Sequence, residues 1–303
     1  MRRTLPIVIA AASLLAAAAC TPSAAPPSSA AAAPAEGPER LIFSDEFNGP
    51  ALDRAKWNVV GPDFWVNEEQ QAYVDSPDTI SIRPAGRTEG ADGVLVLQPK
   101  FRQGFRTPTG RSADFVSGRI TTQGRFDFTY GRAAARIRMP AARGVWPAFW
   151  LLGNGRWPET GEIDIMEYVG EREWTAVALH GTGYSGDTPL VSRQMFPPGT
   201  DVTDWHVYEA EWDAERILFK VDGRVIYRVT RPMVEAYAPW RFDTPQHVIL
   251  NFAVGGIYPY KVNGIETPYK GVPQETVDRI RRGEIVMEVD WVRVYQSGQQ
   301  GGR

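Results

Sequence analysis

The chain has few of the residues that build disulfide frameworks and metal centres. It contains one cysteine, Cys20, and three histidines in 303 residues. A single cysteine cannot form a disulfide within the chain, and no two histidines have the spacing of metal ligands. We therefore expect neither a disulfide-stabilised fold nor a histidine-based metal centre.

A strong excess of charge of either sign is also missing. Thirty-three basic and 36 acidic side chains give a formal net charge of −3, and the isoelectric point is about 5.8. The basic residues are scattered, and the one short run is Arg279, Arg281 and Arg282. Proteins that bind nucleic acid need a concentrated basic surface. The composition therefore excludes nucleic acid as a main partner.

The one long apolar run is at the start of the chain. It extends from Leu5 to Ala19 after a basic start and is too short to span a bilayer, as is typical of a signal peptide. Cys20 follows three alanines, which resembles the cleavage box of bacterial lipoproteins, although Ala17 stands where leucine is usual. We predict a lipoprotein-type signal peptide over 1–20, with lipid on Cys20 anchoring the chain to the cell envelope. If the cell has an outer membrane, we expect the anchor to lie in that membrane. Ordinary cleavage and secretion are the alternative.

Two further segments lack the residues needed for a core. Residues 21–39 are almost entirely alanine, proline, serine and glycine. Such a composition buries too little apolar surface to fold, so we predict a disordered tether. A short polar tail is predicted over 298–303. One domain is expected between them, over 40–297.

That domain shows alternation of apolar and polar residues with a period of two, interrupted by glycine and proline. This pattern predicts an all-β fold, and Asp222-Gly223 predicts a two-residue hairpin. One short helix is expected over Pro273–Arg282. The predicted strands are Gly93–Gln98, Val116–Thr122, Ala133–Met139, Val145–Leu152, Glu162–Val169, Thr175–His180, His206–Trp212, Ile217–Val221, Val225–Thr230, His247–Val254 and Ile285–Tyr295.

One predicted strand carries three acids within six residues, Glu162 to Glu167. On a strand, Glu162 and Asp164 share a face, whereas Glu167 points to the opposite face if the strand is regular. A β-bulge at Ile165-Met166 would return Glu167 to the face of the other two. Acids crowded in this way repel one another, so at least one pKa is expected to be raised.

Two carboxylates with different pKa values are the groups that cleave glycosidic bonds. Acids on one short bulged segment favour the closer spacing of retaining enzymes, roughly 5–5.5 Å. Solvated acids on an edge strand and calcium chelation are the alternatives for this motif. Carboxylate ligands spaced along a stiff strand suit a loop-type calcium site poorly.

Aromatic residues surround the acidic strand. Trp146 and Trp157 precede it and are the best candidates for stacking on sugar rings. The other tryptophans of alternating strands are expected to be structural. His180 ends the following strand, from which its imidazole could reach a carboxylate or a sugar hydroxyl.

The order of several motifs resembles the bacterial laminarinase-type members of glycoside hydrolase family 16, over about residues 40–296. The segments that carry the resemblance are Asn67–Gln70, Ser117–Thr122, Phe128–Arg132, Gly144–Gly153, Gly161–Tyr168, Leu179–Gly181, Asn251–Gly256 and Val289–Tyr295.

The resemblance implies a β-jelly-roll sandwich of the concanavalin A type, with a concave sugar-binding cleft. It assigns Glu162 as nucleophile, Asp164 as its supporting acid and Glu167 as general acid/base. The extra Met166 is similar to the bulged β-1,3-glucanase branch of the family. Polysaccharide is the implied partner, and the chemistry requires no cofactor.

The resemblance also implies binding residues outside the acidic strand. Asn67 and Glu68 match positions that line the sugar cleft. One structural calcium is implied on the convex face, at Asp290 with the region of Glu46 and Gly93. The chain departs from the family after Gly256, where an insertion over 257–284 replaces the usual Asn-Trp-Pro and is expected to border the cleft.

Three functions remain open at this point. The first is a monomeric, retaining endo-glycosidase that hydrolyses internal β-1,3 bonds of laminarin-like glucans. The second is a family 16 enzyme acting on another polysaccharide, such as a mixed-linkage glucan or a galactan, or a transglycosylase. The third is a non-catalytic β-glucan-binding protein, which would gain nothing from Glu162 and Glu167 together.

Overall fold

The computed structural model describes residues 39–84 and 93–296. The predicted signal peptide, Cys20 and the tail lie outside the described residues, as does the tether except for Glu39. No helix within the described ranges is long and apolar enough to cross a membrane.

The described chain is built almost entirely of strands, as predicted. Three short helices interrupt them: α1 Arg231–Glu235, α2 Ile257–Asn263 and α3 Gln274–Arg281. The strands are β1 Arg40–Asp45, β2 Asn58–Val59, β3 Gln71–Tyr73, β4 Ile80–Pro84, β5 Gly93–Leu97, β6 Lys100–Arg106, β7 Ser112–Ser117, β8 Arg119–Thr121, β9 Gly131–Arg138, β10 Val145–Gly153, β11 Glu162–Glu167, β12 Trp174–His180, β13 Leu190–Met195, β14 His206–Trp212, β15 Arg216–Val221, β16 Arg224–Thr230, β17 Gln246–Val254 and β18 Met287–Gln296.

Two large antiparallel sheets form a sandwich, which confirms the predicted fold class. One sheet runs β16-β15-β14-β9-β18-β5-β4, with β1 also paired to β18. The other runs β13-β12-β11-β10-β17-β8-β2 and contains the acidic strand. A third sheet, β3-β7-β6, contains three strands, of which β3 and β7 are parallel.

The core lies between the two large sheets because each strand alternates its side chains between two faces. On β10, Phe149 and Leu151 are fully buried in this core. On β11, Ile163 and Ile165 are equally buried beside them. The opposite face of the seven-stranded sheet, which carries Trp150, is therefore free for a site. We call it the cleft face.

The predicted strand over Val116–Thr122 is wrong in one respect. The strand is interrupted at Gly118, so that β7 lies in the three-stranded sheet and β8 in the seven-stranded one. A Cβ at Gly118 would come within 2.6 Å of Ile80 and 2.9 Å of the Thr79 carbonyl oxygen. Glycine permits the close approach at which the chain changes sheets.

The turn prediction at Asp222-Gly223 is confirmed. These residues have φ of 50° and 74° and connect β15 to β16. A two-residue loop of this kind needs positive φ at both central positions, which glycine supplies without strain. The helix prediction is confirmed within one residue at each end, as α3.

Several elements were not predicted from the sequence. They include the first four strands, β6, β13 and the helices α1 and α2. Strand β13 has a weak signal because two of its three apolar residues, Val191 and Met195, are 48% and 57% exposed. The period-two pattern there does not separate a core face from a solvent face.

Candidate active site

Strand β11 contains the predicted bulge. Its pairing with β12 is regular up to Asp164 and resumes at Glu167, with a shift of register between them. Ile165 and Met166 therefore lie opposite the single residue Val177, and the pairing with β10 is shifted at the same place. The extra residue returns Glu167 to the face that carries Asp164.

The three acids consequently share the cleft face. Their partners on β12 are spaced two residues apart, so these partners also share a face. The partners are His180 for Glu162, Ala178 for Asp164 and Ala176 for Glu167. The arrangement predicted from the sequence is present, with Asp164 between the two glutamates.

Each glutamate accepts a hydrogen bond from its own tryptophan. The Trp157 indole donates Nε1–H to Glu162 Oε2 at 2.9 Å, and Trp146 donates to Glu167 Oε1 at the same distance. Trp157 is 45% exposed at the edge of the site. Both tryptophans therefore lie at the acids, where the sequence placed them, and orient the carboxylates in addition to offering apolar surface.

His180 also reaches the acids. Its Nε2 lies 3.3 Å from Asp164 Oδ2 and 3.9 Å from Glu162 Oε1. Within the described ranges, these three side chains are the one group that could hold a metal ion, with ligand atoms within 4.8 Å of one another. The proposed acid–base chemistry needs the same carboxylate oxygens.

Burial raises the pKa of all three carboxyls, because each has little contact with water that would stabilise its charge. For Glu167, burial and the negative charge of Asp164 raise the pKa to about 8, against the opposing hydrogen bond from Trp146. Glu167 is therefore protonated at neutral pH, as a general acid must be.

The Glu162 carboxyl has two neighbours that favour its charged form. Burial and the charge of Asp164 raise its pKa, while His180 and the hydrogen bond from Trp157 lower it. Its side chain is 16% exposed, compared with 6% for Asp164. Burial nevertheless raises the pKa of Glu162 to about 8, as it does for Asp164 and Glu167. Charge on any one of the three carboxyls raises the pKa of the other two.

A polar network that sequence reasoning missed lies beside the acids. Trp150 shares the cleft face with Asp164 and donates its indole N–H to Asn251 Oδ1 at 2.8 Å. Asn251 in turn donates to the Tyr73 hydroxyl at 3.2 Å. The guanidinium of buried Arg119 lies 4.9 Å from the Trp150 ring and 4.1 Å from the Phe64 ring. The available signal was the set of motifs that carry Trp150, Asn251 and Arg119, which lie on the successive strands β10, β17 and β8.

Asn67 and Glu68 have contacts that differ from those expected. Both have positive φ, 56° and 55°. The Asn67 carbonyl accepts from the amide of Ile257, and the Glu68 carboxylate accepts from Lys270 at 2.7 Å. These contacts join their loop to the insertion rather than to the acids. A role for Asn67 and Glu68 in sugar binding stays a prediction.

The residues named for calcium fit the ion poorly. Asp290 accepts a hydrogen bond from Arg136 at 2.5 Å, and Glu46 is paired with Arg293 at 2.8 Å. Each carboxylate is therefore already neutralised by a guanidinium. Gly93 packs against the backbone of Phe47, beside Glu46, and offers no side-chain ligand. The calcium site stays a prediction that these side-chain contacts do not favour.

Comparison with known families agrees with this geometry. The family model "Glycosyl hydrolases family 16" matches residues 91–271, which include the acidic strand and the insertion up to Gly271. The chain belongs to glycosyl hydrolase family 16. It is a glycoside hydrolase with the bulged acidic strand on the open face of its sandwich.

Two curated relatives show how far the similarity extends. A beta-glucanase of Rhodothermus marinus is 34% identical over 275 residues, which cover 84% of this chain and 85% of the relative. Glucan endo-1,3-beta-glucosidase A1 of Niallia circulans is 32% identical over 87% of this chain. The chain spans 39% of that longer protein.

The solved structures that resemble the chain share its fold over nearly their full length. The laminarinase catalytic domain of Thermotoga maritima superposes with a TM-score of 0.73 at 30% sequence identity. The match covers 86% of this chain and 99% of that domain. The sandwich fold is thus common to both.

Proposed function

We propose that the protein is a retaining endo-glycosidase that hydrolyses internal β-1,3 bonds of laminarin-like glucans. The observation that carries the proposal is the bulge in β11, which sets Glu162, Asp164 and Glu167 on one open face. The relatives named for β-1,3-glucans support the choice of substrate.

In the first step, ionised Glu162 attacks the anomeric carbon while Glu167 gives its proton to the leaving oxygen. The bond from sugar to leaving oxygen breaks as the bond from sugar to Glu162 forms. The Trp157 hydrogen bond orients the attacking carboxylate, and the Trp146 hydrogen bond orients the acid. Asp164 lies between them and raises the pKa of Glu167 by its negative charge.

In the second step, water displaces Glu162 from the sugar. The charge of Glu162 is absent while it is bound to the sugar, so the pKa of Glu167 falls and it can remove a proton from the water. Release of the sugar then restores the Glu162 carboxylate and the Glu167 proton. Two displacements at one carbon leave its configuration unchanged.

A substrate panel tests the proposal. Laminarin, mixed-linkage glucan, cellulose, xyloglucan, agarose and carrageenan are each incubated with the enzyme, and new reducing ends are counted. We expect laminarin to be cut fastest and its viscosity to fall early, because internal bonds are attacked. Hydrolysis of agarose but not laminarin contradicts the substrate assignment. Binding to laminarin without new reducing ends contradicts the activity.

We also propose that the enzyme is lipid-anchored to the cell envelope through Cys20. The basic start, the apolar run and the position of the cysteine support this proposal. The tether over 21–39 would hold the catalytic domain away from the membrane, where it can reach a polymer.

A further inference from the structure

The first helix of the insertion, α2, lies over the cleft face next to the general acid. Its Tyr258 meets the Trp146 ring edge-on, with ring centroids 5.4 Å apart. Tyr258 also forms a hydrogen bond with Arg193. Trp146 is on β10 and Arg193 is on β13, so one tyrosine connects side chains three strands apart.

Buried residues of β12 support Tyr258 and Arg193 from below. Trp174 is 7% exposed and Ala176 is fully buried, and both pack with Tyr258 and Val262 of α2. The guanidinium of Arg193 lies 4.2 Å from the Trp174 ring. Tyr258 and Arg193 are therefore held by packing rather than extended freely into water.

A second connection joins the same helix to the loop between β12 and β13. Lys261 of α2 forms an ion pair with Asp187 of that loop. The two side chains are 49% and 81% exposed, so solvent screens the pair and it contributes little to stability. The packing of Tyr258 and Val262 is consequently the main support of α2 on this side.

The side chains follow a row that crosses the strands at Glu167. Its neighbour on β12 is Ala176, and the neighbour of Ala176 on β13 is Arg193. Ala176 has only a methyl group, whereas the next position in the row is occupied by the Arg193 guanidinium beside the Tyr258 ring. The row therefore ends at two larger polar side chains, which we call the wall. No carboxylate is paired with Arg193 within 39–84 and 93–296. Apart from the N–H group bonded to Tyr258, the N–H groups of Arg193 are therefore available to sugar hydroxyls.

We propose that Tyr258 and Arg193 form the wall of the cleft at its β13 end and determine how many sugar units bind beyond Glu167 on that side. This inference rests on the proposed function and names a specificity determinant within it. A glucan that crosses the strands meets this wall after Ala176. Sugar units in contact with the wall stabilise particular binding positions of the chain, which decides which glycosidic bond lies at Glu167.

Bond selection in a short substrate tests the wall. Laminarihexaose is digested in water enriched in oxygen-18, so that each new reducing end is labelled and mass spectrometry identifies the bond cut. We expect Arg193→Ala to lower the share of the bond preferred by the wild type by roughly 2- to 10-fold, the change that one lost hydrogen bond produces. Tyr258→Phe keeps the ring contact with Trp146 and removes the bond to Arg193, so it should give the same redistribution.

Control variants show whether a change in bond selection comes from the wall or from another effect of the substitution. Arg228→Ala removes an exposed arginine of β16, in the other sheet, and should leave bond selection unchanged. Thermal unfolding of each variant shows that its fold is intact. A wild-type cut distribution in both Arg193→Ala and Tyr258→Phe contradicts the inference. Absence of any cleavage by the wild type contradicts the proposed function instead.

Discussion

At the scale of single residues, Glu162 and Glu167 have similar surroundings, and the proposed mechanism gives them different roles. Each accepts an indole hydrogen bond of 2.9 Å. Glu162 also has His180 within 3.9 Å and keeps more exposure to water. The charge of Asp164 raises the pKa of both glutamates, and His180 lowers the pKa of both. The greater exposure of Glu162 favours its charged form, so the proposed mechanism places the charge on Glu162 and the proton on Glu167.

The two roles can be separated by azide. Glu162→Ala and Glu167→Ala should each lose several orders of magnitude in rate on laminarin, because each removes a reacting group. Azide should rescue Glu162→Ala by direct displacement, which gives the α-glycosyl azide. With an activated leaving group, azide should rescue Glu167→Ala through the covalent intermediate, which gives the β-glycosyl azide. The opposite pairing of products, read by NMR, would exchange the roles.

The tryptophan donors predict two distinct changes in pH dependence. A hydrogen bond to a carboxylate lowers its pKa, so removing the donor raises it. In Trp146→Phe the pKa of Glu167 rises, and since the acid works protonated, the alkaline limb of activity moves to higher pH. In Trp157→Phe the pKa of Glu162 rises, and since the nucleophile works ionised, the acidic limb moves to higher pH. Profiles of kcat/KM against pH measure both, and movement of the same limb in both variants contradicts the assignment.

At the scale of elements, the bulge converts a strand with acids on two faces into a one-sided site. A regular strand through Glu162 and Asp164 would turn Glu167 toward the core formed by Ile163 and its neighbours. Burial of that carboxylate among apolar side chains would be unfavourable. The bulge is therefore needed for stability of the acidic strand as well as for chemistry.

Deletion of Met166 tests the bulge. We expect the variant to lose activity on laminarin while keeping a folded sandwich, because the change shifts the register of the residues after it by one. Circular dichroism measures the fold, and new reducing ends measure activity. The matched substitution Met166→Leu keeps both the extra residue and its bulk, and should remain active. Full activity in the deletion variant would show that the bulged geometry is unnecessary.

Gly118 is the second element-level feature. It lies where the chain passes from β7 to β8 and has the side chain of Ile80 and the carbonyl of Thr79 against it. We expect Gly118→Ala to lower the free energy of unfolding by about 1–3 kcal/mol, the usual cost of overpacking. Urea denaturation measures the change. Gly61→Ala is the matched control, because it adds a methyl group where no atom lies within 4 Å. Gly110→Ala is unsuitable, because Gly110 has a positive φ that strains any other residue.

At the scale of the whole molecule, the proposed lipid anchor decides where the enzyme acts. Stable attachment to a membrane needs more than one acyl chain, which a lipidated N-terminal cysteine supplies. We expect Cys20→Ser to move the protein from the membrane fraction to the soluble fraction without changing its activity on laminarin. Wild-type protein that is already soluble in the medium would contradict the anchor.

The sequence predicted most of the central strands and the bulged strand that carries the three carboxylates. It predicted the acidic strand because the acids interrupt a strongly apolar strand pattern, and it predicted the bulge because Met166 is an extra residue between Asp164 and Glu167. The sequence did not predict the break at Gly118, since strand-forming residues lie on both sides of Gly118 and a single glycine also occurs within strands. It also did not predict the network of Trp150, Asn251 and Tyr73, whose members are distant in the chain.

Local order is what the sequence determined by itself: the strand pattern, the hairpin at Asp222-Gly223 and the three acids on one segment. These depend on contacts between residues close in the chain, which period and turn chemistry record. The tertiary structure alone decided which strand pairs with which, which tryptophan donates to which glutamate, and where Tyr258 meets Arg193. Those contacts join distant segments, and their geometry depends on the packing of the whole sandwich.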